Sequence, residues 1–151
     1  LAQISMRGTG LILGWRTTFN PFSFKPSWAE VAELDTADQL AKLAEPEFKA
    51  KLISEESVFP ESDVQLLAEL MANAFTLQYE LGDGFNYEPS EEQSIAYLAD
   101  QAGVSGAEYA YDLMMSDGGN GFIDFPLLNY AEGNLNFLAP ILQSEDGIDS
   151  L

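Results

Sequence analysis

Residues 116–128 read SDGGNGFIDFPLL. Whether this stretch is a calcium loop or a turn leading into a strand decides between an EF-hand and a mixed fold of helices and strands. An EF-hand loop draws oxygen ligands from positions 1, 3, 5, 7, 9 and 12 and needs glycine at position 6. With Gly121 at the glycine position, Asn120, Ile123 and Asp124 fall acceptably. Ser116, Gly118 and Leu127 then stand at the first, third and last ligand positions, where the ion needs its strongest partners. Starting at Asp117 displaces the glycine and leaves Leu128 at the last position. The stretch therefore reads as a glycine-rich turn that ends one helix and opens a short apolar strand, GFIDFPLL.

Working outward, helix signals precede this turn. Ser105 with Glu108 forms a capping box that opens a helix through EYAYDLMM and stops near Gly118. Ser90 with Gln93 opens another through QSIAYLADQA, which stops at Gly103. Earlier, Val64, Leu67, Met71 and Phe75 share one face of a helix beginning near Ser62 or Asp63 and running down to TLQYEL. The pattern from Ser27 to Glu55 is also helical, with Pro46 suited to a first turn. The pairs Asp38/Lys42, Glu45/Lys49 and Glu47/Lys51 there have the favourable acid-before-lysine spacing. After the strand, AEGNLNFLAPIL reads as a last helix that Pro140 interrupts or bends.

The first residues differ. LAQISM and GLILGW are β-prone apolar runs separated by RGTG, and the loop TTFNPFSFKPSW follows, its aromatics Phe19, Phe22, Phe24 and Trp28 anchoring it to the core. The glycines of GTGLILG have neither dinucleotide nor phosphate-loop spacing. The fold class expected is α+β, helix-rich, with one or two short strands at the N-terminus and several helices. Residues 1–16 are strand-like and 17–151 form a helical body. LAQISM looks like the middle of a strand, and the chain starts at Leu1 without an initiator Met, which suggests a piece of something longer.

Composition narrows the chemistry. With 46% apolar residues among 151, the chain can bury a real core. It contains no cysteine and no histidine, so it can build neither a Ser-His-Asp or Cys-His site nor a His/Cys zinc site by itself. The net charge of −19 is uneven. Residues 1–51 hold all six basic residues and six acids, whereas 52–151 hold the other nineteen acids and no cation. Such a surface repels nucleic acid and anionic membranes, so neither is an expected partner. No stretch has the roughly 18 apolar residues that span a bilayer, and no targeting segment is visible, which points to a cytoplasmic protein.

Several stretches, in order, carry a resemblance: QISMRGTGLILGW, NPFSFKPSW, LAEPEFKAKLISE, AEYAYDLMM and above all FPLLNYAEGNLNFL. Together they resemble the N-acyl-D-amino-acid deacylase type of amidohydrolase, a family of metal-dependent hydrolases on a (β/α)8 barrel. The likeness is collinear over nearly the whole chain. It implies that Ala2 to Met6 is the seventh barrel strand, that Leu151 stops just before the eighth, and that the residues between are an insertion covering the active site. It also implies that zinc and its histidine and aspartate ligands belong to the rest of the parent barrel; none maps onto this chain, whose SDGGNG only imitates the family's Asp-Gly-Gly-Ala-His. Expected partners are that barrel and a small N-acyl amino acid, with a homo-oligomer as a further expectation from an unpaired strand edge.

Within this reading Arg7, just past the first strand, and Asn129 with Tyr130, in LLNYAEGN, are the candidates for facing the substrate cavity. The plain alternative is that Tyr130 packs in the core and Asn129 caps the next helix. No catalytic or metal-binding residue is assigned to this chain. The alternative function is an acidic module that binds calcium or a basic protein without catalysis.

Overall fold

The computed structural model describes residues 2–5, 7–82, 84, 86–130, 132–143 and 148–150. Leu1, Met6, Ala131 and Leu151, which the sequence reading includes in its segments, lie outside them. The described residues form an α+β fold of six α-helices and five strands.

The sheet grows around the strand read from GFIDFPLL. This strand, β4 (Ile123–Leu128), pairs antiparallel with β2 (Thr9–Leu13) on one side and with the two-residue β3 (Tyr79–Glu80) on the other. Leu13 faces Ile123 and Leu11 faces Phe125, so alternation puts these apolar residues on one face. Leu13, Ile123 and Phe125 are fully buried there. At Gly10 the backbones come so close that a Cβ would lie 2.0 Å from the Phe125 carbonyl oxygen. Pro126 opposes Gly10 beyond the reach of β3, on a side where β4 has no ladder bond to lose.

The helices α1 (Thr36–Leu43), α2 (Pro46–Ser54) and α5 (Gly106–Gly119) cover the buried face. Between them Trp15 stacks on Phe22 and on Trp28, each at 5.6 Å between ring centres, and meets Tyr111 edge-on at 5.0 Å. The aromatic loop is thus anchored to the core through Phe22 and Trp28, while Phe19 is exposed. Glu55 secures the same loop by accepting the Ser27 N–H at 2.9 Å and the Ser27 hydroxyl.

The helical pattern expected over 27–55 resolves into three separate pieces. A short 3-10 turn covers Pro26–Glu30, after which Asp35 caps α1 by accepting from the N–H groups of Ala37 and Asp38. Pro46 does open α2. The lysines do not adopt the expected helical pairs: Lys42 meets Glu45, Lys49 meets Asp112 and Glu108 of α5, and Lys51 meets Glu30. For Lys49 and Lys51 neighbours across the tertiary structure, and for Lys42 the nearby Glu45, replace exposed pairs whose intrinsic strength is only a few tenths of a kcal/mol.

α3 (Gln65–Asn73) starts close to where expected but does not continue through TLQYEL. The fully buried Gln78 folds back and donates to the carbonyl oxygens of Met71 at 2.8 Å and Leu70 at 3.4 Å, capping the helix and freeing Tyr79 to enter the sheet. The Ser90/Gln93 box forms, yet it opens only a 3-10 turn, and Ser94 caps α4 (Ile95–Ala102), which ends at left-handed Gly103. Ser105 caps α5 as expected, and left-handed Asp117 and Gly118 end its regular course.

The last helix is shorter than expected, α6 (Leu138–Leu142). Glu132 to Phe137 form turns instead, because Asn134 bonds locally to the Glu132 carbonyl and the Asn136 N–H. Pro140 is the third residue of α6, where its missing N–H has no helical partner to lose. β1 (Ala2–Ile4) pairs in parallel with β5 (Ile148–Ser150), matching Ala2 with Ile148 and Ile4 with Ser150. Among the described residues no helix is long and apolar enough to cross a membrane.

Candidate functional site

The outer face of the sheet carries a different set of residues. Ile12, Asp124 and Tyr79 stand in one row across β2, β4 and β3, pointing away from the face that holds Leu13, Ile123 and Phe125. Residues 86–89 lie beside this row and divide the space around it into two clefts. The first, about 440 Å³, is bounded by the run Arg7 to Ile12, by Pro89 and by Asp124 with Pro126. The second, about 360 Å³, has Tyr79, Glu92 and Leu98 in its wall and shares Asn86, Pro89 and Asp124 with the first.

The wall between the clefts is held by specific bonds. Tyr130, 3% exposed, donates its hydroxyl to the carbonyl oxygen of buried Pro89 at 2.8 Å. Glu88 accepts the Leu135 N–H at 2.9 Å, and Asn86 donates to Gln93 at 3.2 Å. Burial first, then the neighbouring Tyr79, Glu88 and Asp124, pushes the Tyr130 hydroxyl up to about 12. It remains a neutral donor through the physiological range.

Asn129 takes the left-handed conformation, φ 62°, and donates its side-chain amide to the carbonyl oxygens of Ser5 at 2.8 Å and Arg7 at 3.3 Å. Asparagine tolerates that backbone better than most residues. The three residues chosen from sequence are therefore neighbours in space with different positions. Arg7 lines the first cleft, Asn129 fastens the backbone on either side of Met6, and Tyr130 is buried behind the wall. Asn129 binds the end of the first strand rather than capping the following helix.

In the calcium-loop register Asp124 falls acceptably at the ninth position, and the sequence marks it with no other motif. It is half-buried on the central strand, and burial raises its carboxyl above the usual aspartate range. Among the described residues its side chain has neither a hydrogen-bond nor an ion-pair partner. The available signal was an acid between Ile123 and Phe125 in an apolar strand, which alternation places on the face opposite the buried one.

The calcium-like stretch is arranged for packing. Gly121 is needed because a Cβ would lie 1.8 Å from the Leu113 carbonyl oxygen, and the Asn120 side-chain oxygen accepts from Arg16 at 2.7 Å. Among the described residues no three carboxylates converge as a metal site would require. No family model matches the chain, and neither does any curated protein or solved structure.

Proposed function

We propose that this chain is the segment that covers the active site of a metal-dependent amidohydrolase, whose full-length form hydrolyses the amide of N-acyl-D-amino acids or similar compounds. The observation that supports this most is the parallel pairing of β1 with β5. A lone two-stranded parallel ribbon is a poor structure in water, because parallel strands need neighbours and helices over both faces. Two such strands, separated in sequence by the whole intervening body, suit a larger parallel sheet in which that body is an enlarged βα connection. On this reading residues 148–150 open the eighth barrel strand, slightly earlier than the sequence alone suggests.

The first cleft also agrees with this reading. It begins at Arg7, just beyond the C-terminal end of β1, and barrel active sites lie at the C-terminal ends of their strands. Arg7 would meet the carboxylate of an N-acyl amino acid, a planar anion that guanidinium binds in fork geometry. The residues of this chain do not fit zinc: histidine and cysteine are absent, and the described carboxylates form no cluster of three. In this proposal the metal and its ligands belong to the remainder of the barrel, and no step of the reaction is carried by this chain alone. The test is an assay of the full parent and of the 151-residue chain on N-acyl-D-amino acids with added zinc. Turnover by the parent alone is expected; turnover by the isolated chain, or an inert parent, overturns the proposal.

A further inference from the structure

We infer that the first cleft is a binding site for a small zwitterion with an apolar body, of the class of free apolar amino acids, held between the Arg7 guanidinium and the Asp124 carboxylate. Two opposite charges line one space of about 440 Å³. Neither side chain is bonded to the other or, among the described residues, to any third group. Volumes of a few hundred Å³ suit small organic ligands, and beside the two charges and the polar Thr9, Asn86 and Tyr87 the lining is apolar, with Leu11, Ile12, Pro89 and Pro126.

Asp124 makes the argument specific. A half-buried carboxylate without a partner is unfavourable in the empty protein, and a ligand ammonium removes that penalty directly. Arg7 is the cation of this cleft in a chain whose residues from 52 onward carry no cation at all. A simple anion therefore meets one favourable charge in a negative surrounding, whereas a zwitterion satisfies both charges at once. An N-acylated amino acid lacks the ammonium that Asp124 calls for, so the ligand preferred here is the free amino acid. The inference rests on the cleft and its charges and does not depend on the hydrolase reading.

The test is isothermal titration of the 151-residue chain with leucine, N-acetylleucine and leucinamide. The expected result is saturable binding of leucine, with each capped form weaker by about tenfold or more, since each forfeits one charge-assisted contact. Asp124→Asn should abolish the preference for leucine over N-acetylleucine, and Arg7→Gln the preference over leucinamide, with far-UV circular dichroism confirming that both variants fold. The capped ligands test the idea on the unaltered protein even if a variant misfolds. Absence of leucine binding up to about 10 mM, or equal affinity for all three ligands, overturns the inference. N-acetylleucine binding more tightly than leucine also overturns it while leaving the hydrolase proposal standing, because that proposal takes the acylated anion as substrate.

Discussion

The Tyr130 hydroxyl donates to the Pro89 carbonyl oxygen at 2.8 Å across 41 residues of sequence. This bond connects the segment after β4 to the wall that separates the two clefts. Tyr130→Phe removes the donor, keeps the ring and leaves a buried carbonyl unsatisfied, which costs about 1–2 kcal/mol. For a domain of this size the melting temperature should fall by about 3–7 °C. The bond also has a pH signature. Because the folded hydroxyl ionises at about 12, above the ordinary tyrosine value of 10.0, its contribution is full below the ordinary value and is lost as pH rises through the folded one. Melts between neutral and alkaline pH should show the wild-type advantage over Tyr130→Phe shrinking only at that alkaline end; a difference already gone at neutral pH contradicts the bond.

Gly10 and Gly82 offer a paired comparison. A Cβ at Gly10 would meet backbone at 2.0 Å, whereas one at Gly82 meets nothing within 4 Å. Gly10→Ala must push β2 away from β4 and is expected to cost about 3 kcal/mol or more, while Gly82→Ala should stay within about 0.5 kcal/mol of wild type. Urea unfolding of both variants measures this, and equal midpoints refute the close approach.

Asp124→Asn should stabilise the protein at neutral pH even as it impairs the cleft. Burial raises the folded carboxyl above its unfolded value, so Asp124 favours the folded state only while protonated, below the ordinary aspartate range, and burdens it once pH rises through the folded value. Replacing it removes that burden, visible as a higher melting temperature than wild type at pH 7. The gain should vanish in acid. A variant less stable than wild type at pH 7 indicates that Asp124 has a partner in the folded protein.

Calcium provides a simple exclusion. With Asn120 bonded to Arg16, Gly121 explained by its contact with Leu113, and Asp124 on the sheet's outer face, the stretch 116–128 has no set of converging ligands among the described residues. Calcium up to about 1 mM should leave the melting temperature within about 1 °C, because only a ligand that binds the folded state shifts it. A saturable rise of several degrees restores the calcium-binding alternative.

Local chemistry was legible because its causes lie within a few residues. Ser105 as a cap, Gly103, Pro46 and the strand GFIDFPLL stand where their own spacing and backbone preferences require. Where elements fail to continue, the cause lies elsewhere in the chain or in an unanticipated side chain: Gln78 reaches back to end α3, and Asp35 breaks the run from Ser27. Arg7 follows the first strand, so its place at the mouth of a cleft could be read as a proposal from the sequence. That of Asp124 could not, because a lone acid in a strand has meaning only once the strands on either side, and what crosses them, are known.

By itself the sequence determined the chemistry this chain lacks, the uneven distribution of its charge and most points at which its helices start and stop, since these follow from side-chain inventory and short-range hydrogen bonding. Only the tertiary structure decided that β1 finds β5, that Lys49 and Lys51 leave their helical partners, and that Arg7 and Asp124 share one cleft. Those outcomes depend on which distant surfaces pack together, and no pattern within a dozen residues encodes that choice.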